Sequence, residues 1–318
     1  MTTALSLAPD TASVAPIHDR VAALLAKRLF FIVGCQKSGT TWVQRLLDGH
    51  DAVRCHGEAY LAPVLLPVLK QALELYNGKQ KAGDIGRFNN EQLRALFATA
   101  VALIFDRWVE GAPVQCVGEK TPEHALCLPT LLEVFPAMRV IHVIRDGRDV
   151  AVSGWFHNLR QNEARFRARF ADMPAYIKYL VQAHWVPYIR AAQAFGQLHA
   201  EQYLELRYEQ LIDDPHEQTA RMLAFLGVDE SERSVSRCVE AGAFQALSTG
   251  RRPGQEDRGS FFRKGVAGDW RQHFDQRCVD AFEEHGGSML RELGYVEEAT
   301  KRRSDGATKE GEVGGKGA

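Results

Sequence analysis

Two stretches of this chain pass from a short apolar run through a glycine-bearing polar turn into an amphipathic segment, and they limit its fold more than any other feature. The first is "LFFIVGCQKSGTTWVQRLL", in which Leu29–Val33 meets the turn Gly34–Gly39 and Trp42, Val43, Leu46 and Leu47 follow at helical spacing. The second is "RVIHVIRDGRDVAVSGWF", where Val140–Ile144 precedes "RDGRD" and a helix begins near Asp149. Short apolar runs rich in branched residues suit strands covered on both faces. A third strand is expected at Tyr203–Tyr208, followed by a helix that Asp214 caps, Pro215 starts and Gly227 stops. Strands alternating with helices imply an α/β fold with a parallel sheet flanked by helices. In such sheets ligands sit beyond the carboxyl ends of the strands, where both polar turns fall.

The first turn has the outline of a phosphate-binding loop with its lysine displaced. A nucleotide-hydrolysing loop reads G-x-x-x-x-G-K-[ST]. Gly34 and Gly39 keep that spacing, but Thr40 occupies the lysine position and Lys37 precedes the second glycine. Backbone amides in such a turn, followed by a helix N-terminus, cradle an anion. Lys37 adds a movable charge, and Ser38, Gly39, Thr40 and Thr41 supply amides and hydroxyls. No strand ends in a convincing magnesium-binding aspartate, so no metal is expected.

Composition narrows the partners. A formal charge of -1 gives no overall attraction to nucleic acid or acidic membrane, so an anion site must be built locally. The six cysteines are scattered without a C-x-x-C pair, which points to reduced thiols in a cytoplasmic protein rather than zinc or disulfides. The first residues lack a basic secretory n-region, and Val21–Ala26 is too short to span a bilayer. The expected organisation is a flexible segment over 1–27, one domain over 28–298 and a disordered tail over 299–318. Segments 60–115 and 157–200 read as helical additions that form a substrate pocket.

Four stretches, in order, resemble the sulfotransferases that use 3′-phosphoadenosine 5′-phosphosulfate (PAPS). "QKSGTTW" (Gln36–Trp42) resembles their 5′-phosphosulfate loop, and "IRDGRDVAVS" (Ile144–Ser153) their 3′-phosphate motif, with Arg145 and Ser153 in its key places. "RYEQLIDDP" (Arg207–Pro215) resembles the segment whose tyrosine contacts the nucleotide, here Tyr208. "FFRKGVAGDW" (Phe261–Trp270) resembles the motif that closes over the 3′-phosphate, with Arg263, Lys264 and Gly265. The resemblance implies a three-layer P-loop-like sheet, PAPS as co-substrate with adenosine 3′,5′-bisphosphate (PAP) as product, and transfer to a phenol, alcohol or tyrosine. Trp42 would lie against the adenine face or serve as a core aromatic.

Sulfuryl transfer also needs a base for the acceptor hydroxyl and cations for the leaving oxygen, and Lys37 and Lys120 suit the latter role. Cytosolic small-molecule enzymes of the family carry K-T-H with the histidine as base. Here "GEKTPEH" (Gly118–His124) puts Pro122 in that place. The segment "LLDGHDAVRCHGEAYLAP" resembles instead the tyrosylprotein enzymes, whose base is a glutamate, which favours Glu58. Glu119 and His124 stand as alternatives, with His56 behind them. A nucleotide kinase and a non-catalytic nucleotide binder are the competing readings. The acceptor is expected to be a small molecule rather than a protein, and oligomeric state is not legible.

Overall fold

The computed structural model describes residues 14–81 and 83–296. Five strands, β1 Arg28–Gly34, β2 Val53–Gly57, β3 Cys116–Lys120, β4 Arg139–Ile144 and β5 Tyr203–Arg207, form one sheet in the order β2-β3-β1-β4-β5. All four pairings are parallel. The three strands expected from the sequence are β1, β4 and β5. The Pro215–Leu226 helix has its Asp214 cap, accepting from Glu217 N at 2.9 Å, and its left-handed Gly227 stop.

Strands β2 ("VRCHG") and β3 ("CVGEK") lack the apolar run that marks the others. In β3 the interruption is Gly118: a Cβ there would lie 2.2 Å from the Phe30 ring. The glycine that weakens the sequence signal is what lets a phenylalanine of β1 pack across it.

Successive residues of β1 point to opposite faces, as a pleated strand requires. Phe31 and Val33 join one fully buried cluster with Phe97, Phe105 and Val140. Phe30 and Ile32 join another with Val43, Leu47 and Leu223. A third cluster, around Trp155, Ile177, Trp185 and Phe282, ties the helices Gly147–Arg169, Met173–Leu180 and Gln276–Glu292 together. The layers are helices, sheet, helices.

The organisation differs from expectation at the N-terminus, whose first 27 residues were expected to be flexible. Val14–Leu25 is a helix with Leu24 buried and Val21 packed on the first cluster, because "VAALL" presents an apolar stripe to the Asn90–Val109 helix. Residues 1–13 and the expected tail 299–318 lie outside the described residues. Among the described residues, no helix is long and apolar enough to cross a membrane.

Candidate active site

Gly34, Gly57, Lys120, Ile144 and Arg207 end their strands on the same side of the sheet. A cavity of about 1110 Å³ opens there, lined by Lys37, Gly39, Thr40, Thr41, Trp42 and Arg145, among others. The first turn is held by Ser38 N donating to Cys35 O at 3.1 Å, and Ser38 itself is buried beneath the turn, outside the cavity lining. Gly39 has φ 103°, and a Cβ there would meet the Tyr208 ring at 2.4 Å, so only glycine fits. Among the described residues, no backbone carbonyl takes the amides of Lys37, Gly39, Thr40 or Thr41. They remain free for an anion at the start of the Thr40–Asp48 helix.

Lys37 is a non-glycine residue at φ 72°, and its Nζ lies 4.1 Å from the centre of the Phe261 ring. Burial, then the positive charges of Arg160, Arg145 and Lys120, bring its pKa down to about 8. An anion on the turn would relieve that repulsion.

Arg145 follows the end of β4 and lines the cavity. Its guanidinium lies 4.1 Å from the centre of the Tyr208 ring, donates to Lys37 O at 3.3 Å and Val266 O at 3.1 Å, and stands 3.6 Å from Asp149. Its Nε is buried without a partner. Tyr208 in turn meets Trp42 edge-on, while Trp42 Nε1 donates to Gly242 O at 2.8 Å and holds that indole at the wall. The fully buried Asp149 accepts from Gly268 N at 2.7 Å and Trp270 N at 2.9 Å. It thereby binds the second polar turn to the C-terminal motif, more than 100 residues away.

In that motif Arg263 pairs with Glu256 at 2.6 Å and with Asp269, and Lys264 pairs with Asp269 at 2.5 Å. Both cations line the cavity with their charges already shared. Gly265, at φ 66°, packs where a Cβ would lie 2.5 Å from the Phe244 ring. Ser153 also lines the cavity.

At the far side of the first turn stands Glu58. Its carboxylate accepts from Lys120 Nζ at 2.5 Å and from the Tyr60 hydroxyl at 2.8 Å. Burial pushes its pKa up, but the hydrogen bond and charge of Lys120, with Tyr60 and Lys37, more than offset that and leave it below the ordinary carboxylate value. Glu58 lines the cavity, whereas Glu119 and His124 are fully buried outside its lining. Glu119 accepts from Ala59 N at 2.7 Å and from the Thr121 hydroxyl, and His124 Nε2 accepts from Ala62 N at 3.3 Å. His124 Nδ1 lies 2.9 Å from Glu119, close but off the hydrogen-bonding axis. These contacts lash residues 58–62 to the end of β3. His56 stacks on Trp108 beside a separate cleft.

Backbone strain collects here. Of the five non-glycine residues with positive φ among the described residues, Lys37, Glu58 and Tyr60 belong to this site. Sequence reasoning missed Tyr60, Glu123, His157, Phe244 and Phe261, all of which line the cavity. His157 is neutral at physiological pH, with a pKa of about 4 set by burial and then by Lys37 and Arg160. Only Phe261, two residues before the basic pair of the last motif, had a positional hint. Of segment 60–115, Tyr60 alone lines the cavity; Leu61, Ala62, Phe97, Val101 and Phe105 are buried in the first core cluster instead. Segment 157–200 does line it.

The sulfotransferase family model matches residues 30–232, nearly two thirds of the chain. The chain belongs to the sulfotransferase family. It is similar to a putative protein-tyrosine sulfotransferase of Caenorhabditis briggsae, 27% identical over 219 residues that cover 68% of this chain and 71% of the relative. It is also similar to cytosolic sulfotransferase 11 of Arabidopsis thaliana, 26% identical over 289 residues covering 82% and 72% of the two chains. Protein-tyrosine sulfotransferase A of Caenorhabditis elegans is 28% identical over 211 residues, but this sulfotransferase spans only 49% of that relative. Among solved structures, mouse sulfotransferase SULT7A1 complexed with PAP superposes with a TM-score of 0.54 at 18% identity, covering 86% of this chain and 91% of that one. That likeness shows the fold: a parallel α/β sheet between helical layers, as the sequence implied.

Proposed function

We propose that this sulfotransferase moves the sulfuryl group of PAPS to the hydroxyl of a small acceptor, with Glu58 as the base. One observation carries the reading: Lys37 and Glu58 line one cavity, and Lys120, buried behind that lining, contacts Glu58 at 2.5 Å, with both Glu58 and Lys120 helping to set the charge on Lys37. The donor fits what the site offers. The free amides of the first turn and Lys37 suit a phosphosulfate, and the buried, unpartnered Nε of Arg145, with Ser153, suits a second anion. Each charge-assisted hydrogen bond contributes roughly 1.5–3 kcal/mol.

PAPS supplies an activated sulfuryl group whose sulfur–oxygen bond to phosphate breaks as a new one forms to the acceptor oxygen. Glu58 takes the acceptor proton. Lys37 and the turn amides stabilise the negative charge that develops on the departing phosphate oxygen. Lys120 has two tasks: in the free site it keeps Glu58 ionised, and with an anion present it turns toward the sulfuryl oxygens. Losing that ion pair leaves burial as the dominant influence on Glu58 and raises its basicity when a base is needed. We assign Glu119 and His124 to positioning, since they anchor the 58–62 segment without facing the cavity. Arg263 and Lys264, with charges shared by Asp269, act as a loop clasp that rearranges onto the 3′-phosphate.

The acceptor lobe, walled by Phe166, Phe170, Tyr176 and Tyr179, favours a small hydrophobic body over an extended protein segment. We also place the enzyme in the cytoplasm, since all six cysteines are free thiols, five of them buried. Incubation with radiolabelled PAPS and a panel of phenols, steroids, sugars and tyrosine peptides tests the reading. Labelled product with release of PAP supports it, and absence of transfer to every acceptor overturns it.

A further inference from the structure

The Gly147–Arg169 segment, two helical stretches joined at a non-helical Asn162, lines the acceptor lobe first with His157 and Asn158, then with Arg165, Phe166 and Arg169. Its near end belongs to the chemistry: the His157 ring meets Phe261 edge-on at 5.9 Å, and Phe261 is the ring under Lys37. Its far end carries two cations. Arg167, which does not line the cavity, is neutralised by Glu163 at 2.7 Å. Arg165 and Arg169, which do, have no carboxylate partner among the described residues. Arg169 instead lies over the Tyr179 ring at 4.2 Å and the Phe170 ring at 5.1 Å. The other carboxylate of the lining outside the Glu58 corner, Glu123, is taken by Gln36 Nε2 at 2.6 Å.

All three arginines are exposed, but the one off the cavity is paired while the two that line it are not, so the mouth of the lobe has charge available for a ligand. Stacking on aromatic rings also holds Arg169 in place before a ligand arrives, which lowers the ordering cost of binding. We propose that Arg165 and Arg169 form an anion clamp at the far end of the acceptor lobe, and that the acceptor is an elongated hydroxyl compound with a carboxylate or similar anion at its other end. The segment breaks between them at Asn162, whose φ of -163° and ψ of 87° are not helical, so the turn that carries Arg165 and Arg169 is set off from the one that carries His157. The aromatic walls between the two ends take an apolar body. This specificity rests on the sulfuryl-transfer reading of the same site.

The test uses ω-(4-hydroxyphenyl)alkanoic acids of increasing chain length, each beside its neutral carboxamide, with radiolabelled PAPS as donor. The expected kcat/KM for the acid exceeds that for the amide by about tenfold or more, with the ratio passing through a maximum at one chain length. In the Arg165→Ala/Arg169→Ala double variant that ratio falls toward one, and Arg169→Glu inverts it. PAP affinity measured by calorimetry on the same variants reports that they are folded. A second arm compares tyrosine peptides bearing glutamate or glutamine at the matching separation. Discrimination there as well extends the clamp to acidic peptides. Discrimination in the peptide arm alone overturns the small-acceptor assignment. If acids and amides react equally in both arms, or the variants leave the ratio unchanged, the clamp is wrong while sulfuryl transfer stands. If no acceptor is sulfated and PAP does not bind, the underlying reading fails and the clamp with it.

Discussion

Replacing Asp149 by alanine should loosen the turn after β4 and the C-terminal motif together. Its carboxylate accepts two backbone amides, Gly268 N at 2.7 Å and Trp270 N at 2.9 Å, and lies 3.6 Å from the Arg145 guanidinium. Two amide bonds to an ionised acceptor contribute roughly 3–6 kcal/mol in gross terms. Removing one partner of a buried ion pair costs about 3–5 kcal/mol. These are overlapping views of one loss, and the carbonyls of Lys37 and Val266 continue to hold Arg145. A destabilisation of about 3–5 kcal/mol is therefore expected, which at roughly 2 °C per kcal/mol for a chain of this size lowers Tm by about 6–10 °C. Calorimetric melting measures that loss. Hydrogen exchange gives the specific signature, because the Gly268 and Trp270 amides should lose protection while β1 and β4 keep theirs under native conditions. PAP binding should weaken by about tenfold or more as the closing loop comes free. A Tm within 2 °C of wild type, with unchanged protection at both amides, would refute the argument that Asp149 joins the two motifs.

Other outcomes follow from the same geometry. Glu58→Gln should leave PAP affinity intact and lower turnover by about 10²–10⁴-fold, measured with saturating donor; near-wild-type turnover would remove Glu58 from the base role. Lys37, with its pKa brought down to about 8, is protonated below that pH, so its contribution to PAP binding is present at about pH 7 and fades as pH rises through 8. Calorimetry at pH 8 in buffers of different ionisation enthalpy should show uptake of about half a proton per PAP, absent in Lys37→Ala. Gly39→Ala, which forces a methyl against the Tyr208 ring at a left-handed position, should abolish PAP binding, and unchanged affinity would show that the turn has another shape in solution.

The turns and the strands that feed them were legible because their physics is local. β1 and β4 are buried on both faces and therefore read as apolar runs, and the Pro215–Leu226 helix carries both cap signals in its own residues. β2 and β3 were not legible as strands, since Gly118 and Glu119 are there for packing and for anchoring the 58–62 segment. Motif order put Lys37, Arg145 and Tyr208 together, and the fold brings them into one contact network. What no local pattern carries is how distant segments divide the work. In the sequence only a resemblance favours Glu58 over Glu119 and His124; in the fold Glu58 alone of the three lines the cavity while the other two hold its segment from behind. The reach of His157, Phe261 and Arg169 into one lobe depends on where the Gly147–Arg169 helix lies against the C-terminal motif. The acceptor pocket is expected from two segments, and because the apolar residues of 61–109 are spent in the first core cluster, only 157–200 of the two lines the cavity beyond Tyr60.

The central claim is that Lys37 and Glu58 serve the two ends of one sulfuryl transfer. It is tested most directly by pre-steady-state transfer from radiolabelled PAPS to a phenolic acceptor, with PAP and sulfated product quantified in the same samples. The account predicts equal amounts of both, a burst or steady rate lost in Glu58→Gln despite normal PAP affinity, and loss of both rate and affinity in Lys37→Ala. Transfer that persists undiminished in both variants, or PAP release without a sulfated product, would contradict it.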